Sequence, residues 1–171
     1  PALTQDIDDV QMMLEGYLAF ARGDALEDTG GFDLAAYFAK AEEEARLRKR
    51  KLAVSFTGGT DILVRPNAFG RMLSNLVGNA FRYARTIEVK STYTRGTLRL
   101  VIDDDGPGVP PDKREEVFKP FVRLDNARNL DSSGTGLGLA IARDIARAHG
   151  GDITLDASPL GGLRVVVRVP A

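Results

Sequence analysis

With 171 residues, 43% of them hydrophobic, the chain is long enough for one sizeable core and at most a small appendage. Its 23 Lys+Arg against 24 Asp+Glu leave a formal net charge of −1, so no global field favours nucleic acid or an anionic membrane and any recognition must be local. The absence of cysteine excludes disulfides, thiolate chemistry and Cys-based zinc sites, no apolar run approaches the ~20 residues that span a bilayer, and the N-terminus has no cleavage pattern, so a soluble chain is expected.

In chain order, Leu3, Ile7, Val10, Leu14, Tyr17 and Ala21 are spaced alternately by four and three, a heptad seam on a helix whose other side carries Gln5, Asp6, Asp8, Asp9, Gln11 and Glu15. So narrow a stripe needs a partner: either the domain that follows, or a coiled-coil or four-helix-bundle dimer element. Residues 23–31 hold three glycines and three acids and read as a connector, which divides the chain into expected units 1–28 and 32–171. Asp33 suits the N-cap of a helix over 34–51, whose basic end at Arg46, Arg48, Lys49, Arg50 and Lys51 complements the helix dipole.

Residues 52–56 and 62–65 read as strands about a Gly58-Gly59 turn, and Pro66 opens a helix whose Phe69, Met72, Leu73, Leu76, Val77, Ala80 and Tyr83 or Ala84 follow the helical period. A hairpin over 87–93 and 98–102, a short helix over 111–117, a polar stretch over 124–133, a helix over 137–148, and strands over 153–155 and 163–169 complete the chain. Mixed helices and strands without regular βαβ alternation predict an α+β protein, a two-layer α/β sandwich with helices on one face of a mixed sheet. The one histidine, His149, precedes Gly150 at a helix end and reads as a dipole partner, which leaves nucleophilic triads without support.

Four stretches carry chemistry. Asn75 and Asn79 lie four apart and Arg82 three further, a stripe roughly opposite Leu73, Leu76 and Val77; amide oxygens can ligate Mg2+ and a guanidinium can fork onto phosphate, although two asparagines also fit polar filler. Asp103-Asp104-Asp105-Gly106-Pro107-Gly108-Val109 follows a strand: a strand-end carboxylate can accept from the exocyclic amine of adenine, Gly106 and Gly108 admit a close base, and Val109 walls the pocket. An EF-hand is excluded because the twelfth position from Asp103 is Arg114, while a plain acidic turn stays open. Gly134-Thr135-Gly136-Leu137-Gly138 leads into a helix and aims unpaired N–H groups at an anion, without the Lys-Ser/Thr of a P-loop. The polar stretch before it reads as a mobile lid anchored at Phe118 and Phe121.

Asn75-Leu76-Val77-Gly78-Asn79-Ala80-Phe81-Arg82-Tyr83, Asp104-Asp105-Gly106-Pro107-Gly108-Val109, Phe118-Lys119-Pro120-Phe121-Val122-Arg123 and Gly134-Thr135-Gly136-Leu137-Gly138-Leu139 resemble the N, G1, F and G2 boxes of sensor histidine kinases, members of the GHKL or Bergerat-fold ATPases. The resemblance spans about residues 32–170 and looks most like the EnvZ-like branch. It implies ATP and Mg2+ as cofactors, with Asp104 on the adenine amine, Asn79 on the metal, and Asn75, Arg82 and Tyr83 along the phosphates and base. It further implies phosphate contact at Arg123 and a lid hinge over residues 134–138. Asn79 and Arg123 are the positions it makes catalytic.

Residues 6–17 resemble the second helix of the family's dimerisation and phosphotransfer hairpin, which implies a homodimer, a response regulator receiver domain as partner, and a cytoplasmic domain of a bacterial inner-membrane protein. The start at Pro1-Ala2-Leu3, inside a helix pattern, is expected of a piece of a longer sensor, and neither nucleic-acid nor membrane contact is expected of the piece itself. The family's phosphoacceptor histidine sits in an acidic context on the first hairpin helix, and His149 does not match it. ATP binding without self-phosphorylation is therefore expected. A standalone GHKL serine kinase of the anti-sigma type and a non-catalytic ATP-binding dimer module are the alternatives.

Overall fold

In a computed structural model of the chain, residues 27–120 and 138–171 are described, together with Gln11 and Leu14. The expected N-terminal seam and the expected lid lie outside the described residues, except that Gln11 and Leu14 are helical and exposed.

The elements run β1 (Gly30–Asp33), α1 (Leu34–Leu47), β2 (Lys51–Gly58), β3 (Asp61–Val64), α2 (Pro66–Tyr83), β4 (Thr86–Thr94), β5 (Thr97–Asp104), α3 (Gly138–Ala148), β6 (Asp152–Ala157) and β7 (Leu163–Pro170). Five strands form one sheet in the order β2-β4-β5-β7-β6, while β1 and β3 pair separately as an antiparallel ribbon. Only the β2–β4 contact is parallel, because β3 and α2 return the chain between them.

Strand alternation gives the sheet two unlike faces. Leu98, Leu100 and Ile102 of β5, Val165, Val167 and Val169 of β7, and Ile87 and Val89 of β4 are at most 5% exposed and meet the apolar sides of the helices. The opposite face carries Lys90, Arg99, Arg164, Thr154 and Asp156, a polar surface with no helix over it among the described residues. Two layers, helices on one side, is the architecture that the mixed pattern predicts.

Three boundaries differ from the sequence expectation, each for a local reason. The helix α1 starts where Asp33 predicts, with its carboxylate accepting from Ala36 N at 3.0 Å, but it ends at Leu47 instead of running to 51. Lys49 takes φ 57°, and the bonds Arg50 N to Ala45 O and Lys49 N to Arg46 O close a Schellman turn. Lysine in a position that glycine ordinarily fills gave no stop signal. The connector reading of 23–31 missed β1, whose Phe32 packs edge-on against Phe69 of α2 at 5.0 Å. The short helix expected over 111–117 is a pair of 310 turns, Pro111–Lys113 and Glu116–Phe118.

The N-terminus of α2 is held from outside. Arg65 offers no side-chain cap and Pro66 no N–H; instead the Glu27 carboxylate accepts from Asn67 N at 2.9 Å and Ala68 N at 3.0 Å. His149 completes the junction. Its Nδ1–H donates to Ile145 O at 2.8 Å while its Nε2 accepts from Arg65 N at 3.1 Å, which requires the neutral ring. The histidine does satisfy a carbonyl at its helix end, as its position suggests, but as an uncharged staple between α3 and α2.

Candidate functional site

The strand β5 delivers three consecutive aspartates to the end of the sheet, and the fold gives each a separate task. Asp103 faces the polar side, is 2% exposed, and accepts a forked pair of bonds from Arg164 Nε at 2.8 Å and Nη2 at 3.0 Å on the neighbouring strand. Asp105 turns outward, and its Oδ1 accepts from Arg85 N at 2.8 Å and Thr86 N at 3.0 Å. Those backbone donors, Thr86 first, hold its carboxyl below the usual range.

Asp104 points to the helix side and is 5% exposed. Its Oδ1 accepts from Gly106 N and from Leu163 N, both at 3.0 Å, and Gly162 N donates to its backbone carbonyl at 3.0 Å. Its Oδ2 takes no bond from any described residue. Burial pushes its carboxyl above the ordinary value, against the two backbone donors that pull it down. One oxygen therefore builds the loop, and the other is left to accept from a ligand donor.

Glycine makes this packing possible. A Cβ on Gly162 would lie 2.2 Å from Asp104 Oδ1 and 2.5 Å from Gly106 N, and one on Gly106 would lie 2.7 Å from the Tyr83 carbonyl oxygen. Gly108 adopts φ +72° against the backbone of Gly162. The fold thus brings together Asp104, Gly106, Gly108 and the end of α2 at Tyr83, with Val109 half-buried against the core. It adds Gly162 and Leu163, which sequence reasoning took for a turn and a strand start. Their partner lies 59 positions away, and a Gly-Gly pair before a strand is the one signal that could have flagged them.

On α2 the asparagine stripe is not opposite the apolar face. It flanks that face. Asn75 and Asn79 are half-buried, between core residues Leu76 and Ala80 on one side and the exposed Arg82 and Tyr83 on the other. The helix is buried more widely than the period suggested, because Phe81 also enters the core. Among the described residues, Asn75 Nδ2 and Ser91 Oγ are the buried side-chain polar atoms without a hydrogen-bond partner, and of these only Asn75 lies on the asparagine stripe. Arg82 pairs with no described carboxylate. Gly138 begins α3 with open space where a Cβ would be, while Phe121, Arg123, Gly134, Thr135, Gly136 and Leu137 lie outside the described residues.

The donor chemistry decides what metal this site suits. Among the described residues no group of three His, Cys, Asp or Glu side chains is placed to hold an ion. Asn79 is a half-buried amide, an oxygen ligand of the kind that suits Mg2+ when phosphates and water supply the rest of its shell. No helix of the described residues is long and apolar enough to cross a membrane.

Comparison with known proteins places the chain in a family. Residues 64–171 match the family described as Histidine kinase-, DNA gyrase B-, and HSP90-like ATPase. The chain is 44% identical over 129 residues to the sensor histidine kinase CpxA of Escherichia coli (strain K12), covering 74% of this chain and 28% of that protein. It is 34% identical over 174 residues to the sensor protein RstB of the same strain, covering 95% of this chain and 39% of that one. Among solved structures, the ATP binding domain of PrrB from Mycobacterium tuberculosis superposes with a TM-score of 0.65 at 29% identity, covering 85% of this chain and 98% of that domain. The chain spans well under half the length of either curated relative.

Proposed function

Since the chain belongs to the histidine kinase-, DNA gyrase B- and HSP90-like ATPases, we propose that it is the ATP-binding catalytic part of a two-component sensor histidine kinase. Its task in the intact protein is to present the γ-phosphoryl group of ATP to a histidine, from which the group passes to an aspartate of a response regulator receiver domain. The observation that carries this reading is the split duty of Asp104: Oδ1 locked by Gly106 and Leu163, Oδ2 left for the adenine amine.

The chain's own residues bind and orient. Asp104 selects the base, with Gly106 and Gly108 giving it room and Val109 its wall. Asn75, Arg82 and Tyr83 line the route from base to phosphates. Arg123 and residues 134–138 take the phosphate end, the α3 N-terminus adding its dipole. Asn79 would hold Mg2+ together with the phosphates, and the ion would supply neutralisation of their charge. The imidazole nitrogen of the acceptor forms the new bond to phosphorus, the bond to the bridging oxygen breaks, and ADP leaves with that electron pair. Alignment and charge neutralisation carry such a transfer, so Asn79 and Arg123 are the catalytic residues proposed here.

The acceptor is a histidine outside these 171 residues, because His149 is bonded through both ring nitrogens on the structural junction. Residues 1–28 are assigned to the dimerisation and phosphotransfer hairpin, residues 32–171 to the catalytic domain, and the whole to a dimeric protein of the bacterial inner membrane whose catalytic part is cytoplasmic.

Incubating the chain with labelled ATP, Mg2+ and a separately made histidine-bearing hairpin tests this. Acid-labile label on the hairpin is expected. Acid-stable label on serine would mean a serine kinase, and ATP binding without any transfer would mean a nucleotide-dependent interaction module.

A further inference from the structure

Residues 109–118 contain only two 310 turns, and they carry Val109, the proposed wall of the adenine pocket, at one end and Phe118 at the other. Two guanidiniums hang it on the edge strand β6. Arg114 donates from Nε to the Val109 carbonyl at 3.2 Å and approaches Asp156 at 3.7 Å. Arg143, on α3, reaches further. Its Nε donates to Asp152 Oδ1 at 3.0 Å, its Nη1 to Glu115 Oε2 at 2.7 Å, and its guanidinium lies 4.2 Å over the ring of Phe118.

These contacts are unequal. The Glu115 side chain is 80% exposed, so that pair is screened and weak, whereas the Arg143 side chain is 12% exposed and Phe118 8%. Stacking on a buried ring and the fork onto Asp152 are the contacts that fix the segment. Arg147 shares Asp152 Oδ1 at 3.3 Å but touches nothing in residues 109–118 among its described bonds. Of the two α3 arginines at this carboxylate, only Arg143 spans the gap.

We infer that Arg143 is a positioning residue for nucleotide binding: by clamping Phe118 and Asp152 to α3, it sets where the wall of the adenine pocket stands, without touching ATP itself. The inference rests on the ATP-binding reading above. A lysine keeps the charge and most of the stem but neither the fork nor the flat stacking surface.

The test is ATP affinity by calorimetry on the whole chain for Arg143→Lys, Asp152→Asn and Arg147→Ala, each with its unfolding midpoint, followed by the KM for ATP and the saturated rate of transfer to a separate histidine hairpin. Arg143→Lys is expected to raise Kd and KM together by about five- to tenfold, a range carried by one packed coupling, while the rate at saturating ATP is unchanged. Asp152→Asn is expected to do the same and Arg147→Ala to leave both constants alone. A lowered midpoint with unchanged Kd would make Arg143 a stabilising residue only and overturn the inference. If Arg143→Lys does not fold, Asp152→Asn decides by the same criterion. Wild-type chain that binds no ATP removes the kinase reading and this inference together; intact wild-type binding with unchanged variants removes this inference alone.

Discussion

At the scale of single residues, the informative case is three aspartates in a row that do three things. Asparagine at 104 keeps a carbonyl oxygen for Gly106 N and Leu163 N but turns a donor toward the adenine amine, itself a donor. Asp104→Asn is therefore expected to fold normally and to weaken ATP binding at least tenfold, consistent with ~1.5–3 kcal/mol for a hydrogen bond to a charged group. Unchanged affinity by calorimetry would remove Asp104 from the base. Titration separates the roles further. Burial raises the Asp104 carboxyl, so the folded state favours its protonated form, and its contribution to stability is present at low pH and lost as pH rises through the raised value. The lowered Asp105 carboxyl has the opposite sign: its contribution is present above its ordinary value and is lost as pH falls through the folded one. Because the base needs Asp104 ionised, affinity for adenosine, which carries no phosphate to titrate, is expected to fall on acidification at a pH above the ordinary aspartate value of ~3.9. A flat profile between neutrality and that value would contradict the assignment.

At the scale of elements, Lys49 shows how a chain stops a helix without announcing it. Its φ of 57° is strained for a side chain, and the Schellman bonds around it are complete. Lys49→Gly is expected to stabilise the fold by about 0.5–1 kcal/mol, less than the full left-handed penalty because glycine also frees the unfolded chain. A lower unfolding midpoint in thermal denaturation would show the strain to be absent. Glu27 is the complementary case, a cap supplied from 40 positions away. Glu27→Ala leaves Asn67 N and Ala68 N without that acceptor and is expected to lower stability by about 1 kcal/mol, read in the same denaturation series. These two elements also mark what was legible beforehand. The strand and helix cores were readable because period 2 and period 3.6 are local. Asp104 and its glycines were readable because their spacing is local too. Gly162, Glu27, Arg143 and the strand β1 were not, because what defines each is a partner brought near only by the folded chain: Asp104, the α2 start, Phe118 and Phe69.

At the scale of the whole molecule, the sheet is an asymmetric platform: one face closes the core, and one end, where β5 meets the β6–β7 turn, gathers Asp104, Gly106, Gly108 and Gly162 beside the last turn of α2. A ligand seated there touches elements from distant parts of the chain and binds only the folded state, so by mass action it must stabilise the whole domain. At ~100 times its dissociation constant, ATP is expected to add about 2.7 kcal/mol. For a domain of this size, that is roughly 5–10 °C in unfolding midpoint. The contributions of base and metal separate when the same scan is run with Mg2+ and with a chelator. In the wild-type chain the shift is expected to be larger with Mg2+. Asn79→Ala is expected to erase that difference while keeping the chelator-arm shift, because the base still binds. Asp104→Asn is expected to cut the shift to about half or less in both arms, because at least tenfold weaker binding leaves the same ATP concentration at no more than ~10 times the dissociation constant. If Asn79→Ala preserved the Mg2+-dependent part, the amide would not be the metal's protein ligand. The amide oxygen of Asn75, one helical turn earlier on the same stripe, would be the next group to test.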